Sequence, residues 1–432
     1  ATVRGWHHGH ARAIRSERAR ELLTALMPSL LAAFAKQRDP DSALMRLDAL
    51  FGRLTTGVQV LSLLHRNPPM LERLAGILGA APQLADHLAH HTAALEGLLV
   101  GAGGAIGSAA IALPALVKEA RYFEEAMEAS RRLVQEGKFD IDAATLEGSI
   151  DPDVAGEARS ALADAAISAL LPQVTAEFAA RHGVVKGGQL AVVALGKLGG
   201  REMLPGSDLD LILVYDHAAE AEASEAKTKR GAAPIRALPS SQYFTRLAHQ
   251  MVGAITAPGA EGKLYEVDMR LRPSGSKGPV AVSLAAFQRY QAEDAWSWER
   301  MALTRARVVA GPPALARRIG AAIRAALGNP EKAKTAIADA LAMRARMLRE
   351  LPGDGPWDVK LSPGGLVEVE FIAQALQLHH APRHPEVLAT TTRIALANLA
   401  KMGALTAEEA QGLIAAERLW RGISGILRLT LG

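Results

Sequence analysis

The stretch GGQLAVVALGKLGGREMLPGSDLDLILVYD, residues 187–216, decides how the rest of the chain is read. Leu190–Leu195 is an apolar run short enough for a buried strand. Gly196, Lys197, Leu198 and the pair Gly199-Gly200 follow, and Ser207 then leads into Asp208-Leu209-Asp210 and the apolar run to Val214. Alternate strand side chains share a face, so Asp208 and Asp210 point the same way. Two carboxylates so placed repel each other unless a cation sits between them, and Mg2+ is held by a few carboxylates together with substrate phosphates. Glycine lets backbone come close to a phosphate. The stretch reads as a metal-dependent phosphate-transfer site. A lone DxD is more often two exposed aspartates in a turn before an ordinary strand; the preceding strand, the glycine pair and a third carboxylate further on reverse that reading.

That third carboxylate lies in GKLYEVDMRLRPSGSK, residues 262–277. Leu264–Arg272 alternates, with Tyr265, Val267, Met269 and Leu271 expected on a buried face and Glu266, Asp268, Arg270 and Arg272 on the other. Asp268 is the natural third metal ligand. Arg270 and Arg272 suit phosphate oxygens because guanidinium is a fixed fork of donors. A cross-strand salt-bridge ladder is the competing account.

Outward from these strands the periodicity turns helical. Residues 1–185 form a helical lead-in, with Leu22, Leu23, Leu26, Leu30, Leu31 and Phe34 at helical spacing and Pro28 kinking or splitting that helix. Two histidine groups, His7, His8, His10 and His87, His90, His91, are read as surface residues. Residues 97–117 carry no charge, but their glycines and Pro114 make them an apolar loop rather than a membrane span. Residues 218–240 are small, polar and aperiodic, a mobile excursion, after which Ser241 caps a helix to about Ile255. Trp296 and Trp298 are expected as packing anchors, while Arg305 and Arg307 either reach substrate or sit on a solvated helix face. From residue 313 the pattern is helical again. The expected fold is α+β: a mixed sheet with helices over 186–310, between helical regions 1–185 and 311–432, the last cut short, in a chain that is mainly helical overall.

Composition sets the limits. The 432 residues are 49% hydrophobic, 22% charged and only 4% aromatic, a soluble, helix-rich balance. A formal charge of +4 suits a phosphate-bearing ligand without demanding a nucleic-acid groove. With no cysteine, disulfides, thiolate metal sites and a cysteine nucleophile are excluded, and a reducing cytoplasm fits. No Walker A, HExxH or GxSxG pattern occurs. A start without Met and an end inside a helical pattern suggest a piece of a longer protein.

GKLGGRE followed by SDLDLILVYD and YEVDMRLRPSG resembles the polymerase β-like nucleotidyltransferases, in particular the glutamine synthetase adenylyltransferase/adenylyl-removing family. VRGWHHGH, the helical 57–88, WSWERMALTRARVVAG and DVKLSPGGLVEVEFIAQALQL extend the likeness over nearly the whole chain. VDMRLRPSG and ALTRAR resemble the C-terminal, adenylylating half of that family rather than the half that removes adenylyl groups. Seven residues separate Gly200 from Asp208, fewer than is usual in the superfamily.

The resemblance implies transfer of AMP from ATP to a tyrosine hydroxyl of glutamine synthetase, with release of pyrophosphate and control of nitrogen assimilation. It implies two divalent cations, Mg2+ with Mn2+ as an alternative, on Asp208, Asp210 and Asp268. Gly199, Gly200, Ser207, Arg270, Arg272 and, more weakly, Lys197 are then the nucleotide and phosphate side of the site. Glutamine and a PII-type signalling protein are the implied regulators; neither nucleic acid nor membrane is an expected partner. Phosphorolytic removal of AMP would use the same carboxylates. An RNA-directed nucleotidyltransferase would want aromatics for stacking, against which the aromatic content speaks.

Overall fold

The computed structural model describes residues 2–8, 11–54, 57–91, 94–95, 98, 106–225, 236–353, 355 and 357–431. The chain divides into two compact units, one of residues 1–108, 136–155 and 425–432, the other of 109–135 and 156–424.

The first unit is helical. Glu17–Ala35 is one continuous helix despite Pro28. Its N-cap Ser16 accepts from the Ala19 amide, the usual way a hydroxyl satisfies a first-turn donor. The helices Pro40–Arg53, Pro68–Ala80 and Pro82–His90 each start on proline, which costs nothing where the amide has no helical partner. Their apolar faces meet in a core of Leu23, Leu26, Leu30, Phe34, Leu47, Phe51 and Leu74. Trp6 joins that core edge-on to Phe51 and donates its indole N–H to Asp48 at 2.5 Å. His87 is no surface histidine: its ring stacks on Phe139, and burial, with repulsion from His91 and His90, lowers its pKa to about 4.

The second unit is built on a five-stranded mixed sheet of β1 (Gln189–Ala194), β2 (Leu209–Asp216), β3 (Val267–Asp268), β4 (Ala281–Ser283) and β5 (Arg307–Ala310). β1 lies between β2 and β5, antiparallel to both, while β3 and β4 both run parallel to β2 along its other edge. One face packs Ala191, Val193, Ile212 and Val214 against Phe287, Leu303, Leu315 and Ile319 from the helices Leu284–Glu293, Ser297–Leu303 and Pro313–Leu327. On the other, Tyr215 stacks on Phe244 of the helix Ser240–Thr256, ring centroids 4.3 Å apart. Both faces are covered, which is why β1 and β2 read as unbroken apolar runs. The mainly helical α+β expectation is borne out.

Several local expectations are corrected. The strand expected over Leu264–Arg272 shrinks to Val267–Asp268, and both Leu264 and Tyr265 are buried. The helix expected from Ser241 begins at Ser240. Part of the expected apolar loop is a helix, Ser108–Glu119, carrying Pro114 inside it. Among the described residues no helix is long and apolar enough to cross a membrane. The ends of the expected excursion form a stem: the Ser224 amide donates to Leu238, the Ser240 amide to Glu222, and Val184 bridges Glu225. Residues 226–235 of that excursion lie outside the described residues. Trp296 and Trp298 are not packing anchors, being 68% and 39% exposed.

Candidate active site

β2 and β3 run in parallel register with Leu209 opposite Val267 and Asp210 opposite Asp268. Register partners in a sheet point to the same face, so these two carboxylates are neighbours. Asp208 stands one residue before β2, exposed, and by strand alternation on the same side as Asp210. Asp210 is the enclosed member. Burial, followed by the charges of Asp208 and Asp268, raises its pKa to about 6. A carboxylate so crowded holds a proton or a cation more readily than an isolated one.

Asp268 is held differently. Its side chain is 14% exposed and accepts from the Arg270 amide at 2.8 Å and from Arg270 Nε at 2.7 Å. That hydrogen bonding from Arg270 keeps its pKa below the usual value. Arg270 Nη2 pairs with the same carboxylate at 2.5 Å, and the side chain is otherwise open to solvent, 82% exposed. Arg272 turns back on its own loop, donating to the carbonyls of Met269 at 2.7 Å, Gly278 at 3.2 Å and Ser276 at 3.2 Å. Past Asp268 the backbone is engaged locally rather than in a ladder: the Asp268 carboxylate takes the Arg270 amide, and the Arg272 side chain takes carbonyls of its own loop, contacts that compete with a sheet.

The glycine segment forms the short helix Gly196–Gly199 between β1 and β2. Gly196 is the residue against Asp210: its φ of +52° is left-handed, and a Cβ there would overlap the Asp210 carboxylate. Gly199 and Gly200 face the other way. A Cβ on Gly199 would overlap the Arg305 carbonyl, and one on Gly200 the Arg305 guanidinium. Lys197 forms an ion pair with Glu370 of the helix Leu366–His380. Ser207 closes the turn before the aspartates, its Oγ accepting from the Leu204 amide at 3.0 Å. The structure thus gathers Asp208, Asp210, Asp268, Arg270 and Gly196 at one end of β2. It engages Arg272, Ser207, Lys197, Gly199 and Gly200 in contacts within the fold.

Among the described residues no three carboxylates or imidazoles form a ready-made metal cage. The donor set still fits a hard divalent cation: oxygen ligands only, one carboxylate enclosed between two others, and an exposed approach beside Asp208. Arg270 engages both Asp268 oxygens, so a cation shared by all three carboxylates would compete with that guanidinium.

Sequence reasoning missed Glu202 and left Arg305 open between substrate and a solvated helix face. Arg305 sits on no solvated face. Its side chain is 5% exposed and pairs with both Glu202 and Glu370, the latter at 3.0 Å.

Residues 71–321 match the family model for glutamate-ammonia ligase adenylyltransferase, and residues 342–431 match that for GlnD PII-uridylyltransferase. The chain is similar to bifunctional glutamine synthetase adenylyltransferase/adenylyl-removing enzymes. It is 44% identical to that of Mesorhizobium japonicum over 99% of this chain and 43% of the relative. It is 42% identical to that of Brucella suis, with the same coverage, and 43% identical to that of Caulobacter vibrioides over 100% of this chain and 42% of the relative. The chain therefore spans less than half the length of these relatives.

Proposed function

The chain belongs to the glutamate-ammonia ligase adenylyltransferase family, and we propose that it transfers AMP from ATP to a tyrosine hydroxyl of glutamine synthetase, with Asp208, Asp210 and Asp268 as its catalytic carboxylates. The observation that carries this reading is the in-register placement of Asp210 beside Asp268, with Asp208 one step before the strand.

In this reading the three aspartates hold divalent cations, Mg2+ or Mn2+, at the open end of β2. Bound there, the cations supply charge neutralisation at the phosphates and acidify the attacking hydroxyl. The protein's own residues do the rest. Asp210, enclosed and fixed above Gly196, sets where the α-phosphate of ATP is met. Asp268, next to it on β3, is placed to orient the tyrosine hydroxyl and take its proton, which matters because a free phenol has a pKa near 10. Arg270, exposed at the rim, balances charge on the transferred phosphate and the pyrophosphate. Arg272, Ser207, Lys197, Gly199 and Gly200 belong to the phosphate side by shaping the loops that carry it. Glutamine and a PII-type signalling protein are the regulators this reading carries.

The printed name of the relatives covers two reactions, and phosphorolytic removal of AMP is the second reading. It would use the same carboxylates in reverse. Incubating the chain with labelled ATP and unmodified glutamine synthetase, and separately with AMP-modified glutamine synthetase and phosphate, separates the two. Label on glutamine synthetase in the first arm with no release in the second supports transfer. Release without transfer assigns removal.

A further inference from the structure

The groups that shape the glycine turn come from distant parts of the chain. Arg305 passes beneath it, its carbonyl against Gly199 and its guanidinium against Gly200. One side of that guanidinium pairs with Glu202, just past the turn, and the other with Glu370 at 3.0 Å. Glu202 also accepts from the Thr392 amide at 2.6 Å and from the Thr392 hydroxyl at 3.2 Å. Arg307 grips the same turn, donating to the carbonyls of Gly199 at 3.1 Å and Leu198 at 2.9 Å, and pairs with Asp164 of the helix Pro152–His182 at 2.8 Å. With Lys197 on Glu370, the turn is held at Lys197, Leu198, Gly199 and Glu202, while Gly196, its first residue, lies against Asp210.

A buried ion network of this kind is poor value as a source of stability. Taking such charges out of water costs several kcal/mol per ion, and well-packed apolar groups of similar volume often serve the fold as well. What ions and bidentate hydrogen bonds fix better than apolar contact is geometry. Here the geometry fixed is that of the segment on which the Asp210 carboxylate rests.

Building on the catalytic role given above to Asp208 and Asp210, we propose that Arg305 and Arg307 are positioning residues for Asp210. Through Glu202, Glu370 and Asp164 they clamp the Gly196–Glu202 turn in the one arrangement that holds the catalytic carboxylate in place. Neither arginine touches substrate. Glu370 and Thr392 belong to the helices Leu366–His380 and Thr392–Lys401, so these helices help set the catalytic geometry. Loosening the clamp moves a reacting group rather than removing one, and a misplacement of about 1 Å costs on the order of a hundredfold in rate.

The test uses the whole chain, with labelled-AMP transfer and phosphate-driven release both followed, in Arg307→Ala, Arg307→Lys, Glu370→Gln and Asp210→Asn. Rates are taken per folded molecule, with folding checked by thermal melts. Arg307→Ala and Glu370→Gln are expected to lower kcat by roughly tenfold to a hundredfold. KM for ATP and for glutamine synthetase should stay within about threefold of wild type, the split expected when only the reacting geometry is disturbed. Arg307→Lys, which keeps the Asp164 pair but not the fork across two carbonyls, should recover part of the loss. Arg305→Lys serves as a fifth variant if it folds; the Arg307 and Glu370 variants decide the matter without it. Wild-type kcat per folded molecule in both Arg307→Ala and Glu370→Gln, beside an inactive Asp210→Asn, overturns the proposal and leaves the catalytic reading standing. An active Asp210→Asn overturns that reading and the proposal with it.

Discussion

Asp210 on β2 and Asp268 on β3 are register partners in a parallel pair, and Arg270 bonds the Asp268 carboxylate through both its amide and its guanidinium. The two carboxylates therefore differ: one is crowded by like charge, the other already satisfied by a cation from its own loop. Asp268→Asn should be nearly inactive, since it removes the ligand or base. Arg270→Ala should be milder, because cations also neutralise the phosphates and the guanidinium is a rim group. Comparing kcat for labelled-AMP transfer checks this order; a more damaging Arg270→Ala would reverse the roles.

The glycines of the turn divide by what they touch. Gly196→Ala forces a side chain into the Asp210 carboxylate at a left-handed φ. It should abolish activity with a modest loss of stability, about 1–2 kcal/mol for the strained backbone. Gly200→Ala collides instead with the buried Arg305 guanidinium, and overpacking there should cost about 1–3 kcal/mol. Denaturant melts and rates measured together separate the two effects.

His87 makes the helical unit sensitive to acid. Its folded pKa of about 4 lies below its ordinary 6.5, because burial beside Phe139 disfavours the charged ring and His91 and His90 repel it. The unfolded chain takes up a proton between those values and the folded chain does not. The stabilisation is complete above pH 6.5 and is lost as pH falls towards 4. The loss should reach roughly 1–3 kcal/mol. Hydrogen exchange at core amides near Phe139, followed from pH 7 to 4.5, should show it, and His87→Phe should flatten the profile.

Glu202 is the acceptor on which the buried network converges. Glu202→Ala leaves the Arg305 guanidinium and the Thr392 amide without that partner, and breaking such a buried pair costs about 3–5 kcal/mol. Glu202→Gln keeps the shape and one acceptor and should cost less. Urea melts of the two variants give the ranking; equal midpoints would mean that Arg305 is satisfied without Glu202.

The neighbouring placement of Asp208 and Asp210 was legible in the sequence because its signals are local. An apolar run, a glycine turn and a DxD at strand spacing lie within 30 residues, and β1 and β2 formed where periodicity placed them. The alternation of Leu264–Arg272 was real as a pattern but misleading as a strand. Arg270 and Arg272 bond their own loop, and periodicity carries no information about that choice. Arg305 was left open between substrate and a solvated face because nothing near it in sequence announces its partners. Its two carboxylates lie 103 and 65 residues away. The paired glycines illustrate the same limit: their presence was visible, but the neighbour that required them was not.

In the proposed reaction Asp208 and Asp210 carry the phosphate chemistry. An amide in place of either carboxylate keeps the shape and loses the charge that holds a cation. It also relieves like-charge crowding, so the fold should hold or gain stability. The most direct test is labelled-AMP transfer to glutamine synthetase by Asp208→Asn and Asp210→Asn at saturating Mg2+, with thermal melts alongside. Both variants should lose at least about a thousandfold in kcat, some 4 kcal/mol of transition-state stabilisation, with melting temperatures at or above wild type. A rate above about a tenth of wild type in either folded variant would contradict it.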